Sequence, residues 1–271
     1  MKTFTTRNNS YRLCALLIGA LLLSCGSALA DKERSVGIVP PDAKFHGKTY
    51  SQWAASFWQW MLALPLDGHP CIDDPSYDFS SGQSGNVWYV AAPPGTITRQ
   101  ATLPVGKALF LTIRDVDTST LEDPPFFGVT EAEQRANSKW FADHIATSPT
   151  WFVDHIVPGV FCIIDGVSVD LHQYRFSTPQ FEFTAPTPWI FGNPDHNVGG
   201  NGTAVGDGYF LMLDSLSKGS HTIHYSGTFL FAPGELGPDP LEFIHDITIE
   251  LTVGNERNDP GSHDNDEQGR E

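Results

Sequence analysis

The run Asp115-Val116-Asp117-Thr118-Ser119-Thr120-Leu121-Glu122-Asp123 places four carboxylates within nine positions, directly after an apolar segment. If the strand predicted over that segment continues, Asp115 and Asp117 share a face, because side chains alternate along a strand with period two. Glu122 or Asp123 then has only to fold back to give a set of hard oxygen ligands suited to calcium, with Asp115, Asp117 and Glu122 as its members. The competing reading is a solvated acidic loop. A second oxygen-rich stretch, Asp195-His196-Asn197 through Asn201 and Asp207, departs from calcium-loop spacing because Gly199 stands where a ligand should be.

Histidines offer less. There is no H-E-x-x-H and no C-x-x-C, and His221-Thr222-Ile223-His224 reads as strand, which sends residues three apart to opposite faces and denies them a shared zinc ion. His245 falls on the apolar parity of the last predicted strand. If His221 and His245 face inward from neighbouring strands they make a metal or acid–base pair; otherwise each is a hydrogen-bonded structural histidine. Glu182, between Phe181 and Phe183, is the one carboxylate on a predicted strand face in mid-domain, and solvent is its expected surrounding. Glycoside hydrolysis would need it paired with a second carboxylate roughly 5 to 9.5 Å away. Gly82-Gln83-Ser84-Gly85 lacks the spacing of a nucleophile elbow and reads as a turn. His221, His245 and Glu182 are therefore the catalytic candidates. The chain also holds seven Trp, seven Tyr and eighteen Phe, enough to spare some for a binding platform. Trp88, Trp151 and Trp189, near loops or strand ends, are the platform candidates.

The elements that must position these groups begin after a secretory signal. Lys2, Arg7 and Arg12 form a basic region, Leu13 to Leu23 an apolar one, and Ala28-Leu29-Ala30 a cleavage site, so residues 1–30 are expected to be removed. Leu22-Leu23-Ser24-Cys25 also has the form of a lipobox, which would make Cys25 an acylated N-terminus. The apolar run is shorter than the ~20 residues a membrane span requires. The remaining chain carries thirteen basic against thirty-two acidic residues, a balance of −19, which disfavours nucleic acid and anionic membrane surfaces. Outside the signal only Cys71 and Cys162 remain, and in an oxidising compartment such a pair reads as a disulfide, with two buried thiols as the alternative.

A polar leader, 31–47, precedes a charge-free stretch, TYSQWAASFWQWMLALPL, that opens on a capping box (Thr49 and Gln52) and stops at Pro65. It is expected to form a core helix with Trp53, Phe57 and Trp60 buried. A second helix follows the capping box Thr130 to Glu133 and uses Ala132, Ala136, Trp140, Phe141 and Ile145 as its apolar face. Nine strands are predicted: Val87 to Ala91, Ile97 to Leu103, Ala108 to Arg114, Val160 to Ile164, Val167 to Leu171, Gln180 to Thr184, Tyr209 to Leu213, His221 to Phe231 and Phe243 to Val253. Asp165-Gly166 suits a two-residue hairpin turn. Thr184 to Gly208 reads as a long loop, and residues 254–271 as a disordered acidic tail. The sum is a mainly β chain: one antiparallel sandwich over 48–253, jelly-roll or immunoglobulin-like, with two helices packed on it.

GKTYSQWAASFWQWMLALP, GQSGNVWYVA, LPVGKALFLTI, IIDGVSV and DGYFLMLDSLSKGSHTIHYSG together resemble an uncharacterised family of exported bacterial β-rich proteins over most of 47–253. The resemblance implies a single exported domain and brings no activity with it. With no cofactor fingerprint, the leading expectation is a periplasmic or extracellular, non-catalytic module for polysaccharide or an envelope protein, with calcium as an optional structural ion. The rivals are a secreted hydrolase or lyase using loop carboxylates and histidine, and an envelope lipoprotein anchored through Cys25.

Overall fold

The computed structural model describes residues 37–72, 78–193 and 195–254. Cys25, the signal and the acidic tail from 255 onward lie outside the described residues. The first element is α1 (Tyr50–Ala63), whose capping box forms as expected: Thr49 Oγ1 accepts from Gln52 N, and Gln52 Oε1 accepts from Thr49 N. The strands are β1 (Val87–Val90), β2 (Gly95–Pro104), β3 (Ala108–Ser119), β4 (Thr150–Phe152), β5 (His155–Val157), β6 (Phe161–Ile164), β7 (Val167–Val169), β8 (Arg175–Ser177), β9 (Phe181–Ala185), β10 (Gly200–Leu213), β11 (Gly219–Phe231) and β12 (Leu241–Gly254). The second helix, α2 (Glu131–Asp143), lies between β3 and β4 and again starts on a capping box, Thr130 with Glu133.

The strands form two five-stranded sheets and a separate β4-β5 hairpin. One sheet runs β1-β3-β10-β8 with β9 also on β10, and the other β2-β12-β11-β6-β7. Buried side chains from both sheets and from the helices make one continuous core. The expectation of a mainly β chain carrying two helices is met, but purely antiparallel pairing is not. β1 pairs with β3, and β12 with β2, in parallel. The cause is topological: between β1 and β3 the chain crosses to the other sheet as β2, so β3 returns in the direction of β1.

The strand pair β11 and β12 follows its sequence alternation, with Ile223 opposite Ile249 and Tyr225 opposite Ile247, all buried. The β6-β7 turn is built on Asp165 (φ 51) and Gly166 (φ 82), both in the left-handed region that a two-residue hairpin of this kind demands. By contrast, part of the expected long loop, Gly200 to Gly208, is strand, the first half of β10. Its glycines lower strand propensity and read as loop, yet at Gly202 the side chains of Leu121 and Phe183, and at Gly206 that of Trp58, press against the backbone.

The helix faces also differ from expectation. In α1 the buried face is Tyr50, Ala54, Phe57, Trp58, Met61 and Leu62, while Trp53 and Trp60 are half-buried at its edges. A helix apolar nearly all round does not specify its inner face. The indole N–H groups decide it: those of Trp53 and Trp60 reach loop carbonyls, Phe45 O at 2.9 Å and Gly82 O at 2.8 Å. In α2, Ala132, Ala136 and Trp140 are exposed, and Gln134, Ser138, Phe141 and Ala142 face inward. Gln134 earns its buried place by donating to Gly128 O, Thr203 O and Thr203 Oγ1, each at 3.0 Å.

Candidate functional site

Where α1 crosses the first sheet, and the second sheet closes from the other side, the chain forms a cleft of about 580 Å³. Its aromatic walls are Phe57 and Trp58 of α1, Phe126 and Phe191 of loops, Phe229 of β11 and Phe243 beside it on β12. Arg114, Asp115, Asp117 and Glu122 line the same space, with His245 and Cys71. The three carboxylates that the sequence grouped are thus brought together, and the strand does continue past Arg114 to Ser119.

A β-bulge sets the face they occupy. The register of β10 on β3 shifts between Tyr209 and Phe210, which leaves Ile113 as an extra residue. Before the bulge it is Phe110 that packs on α1, against Tyr50 and Phe57. The extra residue reverses the alternation, so that beyond it Asp115 and Asp117 fall on the helix side. Opposite Asp117 stands Gly206, and a Cβ there would lie 2.6 Å from Trp58 Nε1. Only glycine lets the indole edge settle against β10 beside the Asp117 carboxyl. Gly227 does the same for Arg114, whose Cβ would be 2.5 Å from a Cβ at 227. The guanidinium then lies over the Phe229 ring, 4.1 Å from its centroid.

Trp58 Nε1, Arg114 Nε, Asp115 Oδ2, Asp117 Oδ2 and Glu122 Oε2 are all buried and make no hydrogen bond within the described structure. Buried polar atoms are almost always paired in folded proteins, so five such atoms on residues lining one cleft set it apart from the rest of the described core. Burial sets the protonation of the group. Asp115 is pushed up to about 7, chiefly by desolvation, with the Arg114 charge pulling it back. Desolvation and then the Asp115 charge hold Asp117 well above the usual carboxylate range; for Glu122 it is desolvation and then Asp117, opposed by hydrogen bonds with Ser119. Burial lowers Arg114 to about 10. His245 is depressed to about 4 by desolvation and Arg114, and its ring nitrogens lie 3.2 Å from Ile113 O and 3.2 Å from Ala92 O. A neutral imidazole can donate to only one of these carbonyls.

The other expected site residues do not join this cleft. His221 lines a separate cavity of about 800 Å³ with Trp88, Asp78 and Glu250. Its ring is held between Asp165 Oδ2 at 2.6 Å and Ser217 O at 2.7 Å, a structural arrangement, so the His221–His245 pair does not form. Glu182 is exposed on β9, as expected of a solvent-facing residue. The three platform tryptophans share no surface: Trp189 is 1% exposed, Trp88 6%, and Trp151, on the β4-β5 hairpin, 68%. Trp88 and Trp189 are core residues because their strand and loop positions turn them inward.

Cys71 and Cys162 are free thiols, which corrects the expected disulfide. Cys162 is buried in β6 opposite Tyr225, while Cys71 is half-buried at the cleft, its N–H donating to His69 Nδ1. Burial pushes both thiols up to about 12, so they behave as small apolar side chains. Among the described residues no group of three or more His, Cys, Asp and Glu side chains is arranged to hold a metal ion. No helix among them is long and apolar enough to cross a membrane.

Sequence reasoning reaches Trp58, with Trp53 and Trp60, only as a minor platform possibility, and misses Arg114 and the aromatic lining from Phe126, Phe191, Phe229 and Phe243. One signal was present: an arginine at the end of an apolar strand, just before an Asp-x-Asp, is costly to bury unless a site needs it. No protein-family model, curated protein or solved structure matches the chain.

Proposed function

We propose that this is an exported binding protein that takes a small amphipathic ligand, or the end of a longer saccharide, into the cleft between α1, β3 and β11-β12. A volume of about 580 Å³ lies within the range of roughly 300–1,000 Å³ typical of small-molecule pockets. The observation that carries the reading is the set of unpartnered buried polar atoms, Trp58 Nε1, Asp117 Oδ2 and Glu122 Oε2 foremost, inside aromatic walls. Apolar rings supply the affinity, and a few fixed polar groups supply orientation. This favours a concave ligand site over the flat aromatic face that binding along a polysaccharide chain would use.

The test is a thermal-shift panel of saccharides, amines and aromatic acids on the secreted domain, followed by calorimetry on any compound that raises Tm. Trp58→Phe and Asp117→Asn should each weaken a true ligand by about tenfold, the worth of one hydrogen bond in a dry site. A ligand that binds both variants as tightly as wild type lies elsewhere, and the reading fails.

One observation favours a second reading, an acid–base hydrolase or lyase. Asp115, pushed up to about 7, lines the same cleft as Asp117 and Glu122, both held by burial well above the usual carboxylate range. A base and an acid held in one cleft is the usual arrangement for catalysis near neutrality. Turnover of chromogenic glycosides that disappears in Asp115→Asn would support it.

A further inference from the structure

We infer that the ligand of this cleft carries a protonated amine next to a hydroxyl or ether oxygen, on a ring with one apolar face: the pattern of a 2-amino sugar. The inference rests on the small-ligand reading above and names its chemical class.

The argument starts from charge. Among the described residues, every ionisable group lining the cleft can be assigned. Arg114, Asp115 and Asp117 come from β3, Glu122 and Asp123 from the loop after it, His245 from β12, and Cys71 from the segment after α1. α1 and β11 contribute only uncharged side chains, and Arg99 of β2 is turned to the carbonyls of Pro70, Ala91 and Ile72. Arg114 and Asp115 offset one another, as neighbours whose charges act on each other. Asp123 is exposed and accepts from Asn193 Nδ2. Asp117 and Glu122 are left, 2% and 8% exposed, with no basic side chain among the groups that act on either.

Two buried carboxyls without a cation must hold protons or receive a cation from outside. A primary ammonium answers this, because it brings donors to a place where Asp117 Oδ2 and Glu122 Oε2 accept none. The aromatic walls add attraction between ring faces and the cation. Trp58 Nε1 complicates a simple amine. It is a donor, 4% exposed, set by Gly206 beside Asp117, and it too lacks a partner. An ammonium cannot satisfy it. An oxygen one or two bonds from the amine can, which is why the pattern is an amino alcohol on a ring. The apolar face of such a ring then lies on the phenylalanines, as sugar faces do on aromatic surfaces.

Binding would exchange protons on Asp117 and Glu122 for the ammonium. Protons would be released, and affinity would rise with pH by up to about tenfold per pH step for each proton released, until the ligand's own ammonium titrates.

The experiment compares three β-1,4-linked disaccharides that differ only at position 2: di-glucosamine, cellobiose and N,N′-diacetylchitobiose. Calorimetry at pH 5, 6 and 7, in buffers of different ionisation enthalpy, reads affinity and protons released. At pH 7 di-glucosamine should bind at least about tenfold more tightly than either neutral sugar, the effect of one desolvated charge pair, with proton release. In Asp117→Asn, and separately in the loop variant Glu122→Gln, that preference should fall to about unity while folding, checked by circular dichroism, is retained. Trp58→Phe should weaken all three sugars alike. Equal affinity for di-glucosamine and cellobiose overturns the amine and leaves the small-ligand reading standing. If none of the three binds, the amino-sugar assignment is wrong; the small-ligand reading falls with it only when the wider panel is also silent.

Discussion

Asp115→Asn isolates the energetic consequence of burying an acid beside an arginine. In the fold the Asp115 carboxyl is raised from its ordinary 3.8 to about 7. Below about pH 4 both folded and unfolded chains hold this proton, and the group adds no pH dependence. As pH rises the unfolded chain ionises first, so stability is lost progressively until the folded carboxyl also ionises near pH 7. At about 1.4 kcal/mol per pH step the loss amounts to at most about 4 kcal/mol. Asparagine keeps the shape and removes the titration. Over most of this range the wild-type carboxyl is itself neutral, so asparagine takes no charge away from Arg114, whose pull is already contained in the value of about 7. Urea unfolding of both proteins at pH 4, 5, 6 and 7 gives the difference in ΔG at each pH, in which groups common to both, His245 included, cancel to first order. The variant should lie within about 1 kcal/mol of wild type at pH 4 and become the more stable by pH 7, a swing of about 3–4 kcal/mol. A difference that stays constant from pH 4 to pH 7 would refute the burial of this carboxyl, and with it the dry acid cluster.

Other expected outcomes test the scaffold. Gly206→Ala drives a methyl to within 2.6 Å of Trp58 Nε1, and should cost about 1–3 kcal/mol by overpacking, read as a lower Tm and a changed tryptophan emission. Gln134→Leu removes the donor to Gly128 O and Thr203 O and should destabilise by about 2–4 kcal/mol in urea, because two buried carbonyls lose their partner. Cys71 and Cys162, as free thiols, should both alkylate in denaturant without reductant; protection of both until reductant is added would restore the disulfide. Trp58→Phe keeps most of the buried ring and deletes an N–H that has no partner, so stability should stay within about 1 kcal/mol of wild type while ligand affinity falls.

What the sequence made legible follows from how each signal is carried. The capping boxes at Thr49 and Thr130 are local reciprocal hydrogen bonds, and both formed at the residues named. The alternation of β11 and β12 needs only period two, and it held. Asp115, Asp117 and Glu122 were grouped because they are near in sequence and shared parity was enough to place two of them together. Parity alone did not say which face, since Ile113 inserts an extra residue and reverses the pattern. Trp58, Phe229 and His245 come from three distant segments, and nothing local ties them to Asp117. The same holds for His221, whose strand neighbours suggested a partner in His245 but whose ring went to Asp165 instead.

Gly200 to Gly208 shows why part of the site was hidden. Each glycine weakens the case for a strand when the sequence is read one residue at a time, yet Gly206 is what admits the indole of Trp58. A strand that trades its own propensity for another element's side chain makes sense only once both are in place. The acid cluster is the same kind of trade on a larger scale. Folding alone would favour apolar residues at Asp117 and Glu122, since both are buried and neither has a cationic partner acting on it. Departures from local rules in natural proteins gather where function requires them. Among the described residues, five of the unpaired buried side-chain atoms belong to residues lining one aromatic cleft, whereas Thr118 Oγ1 and Tyr225 OH lie outside its lining. A stability cost concentrated in this way is what the proposed ligand would recover on binding.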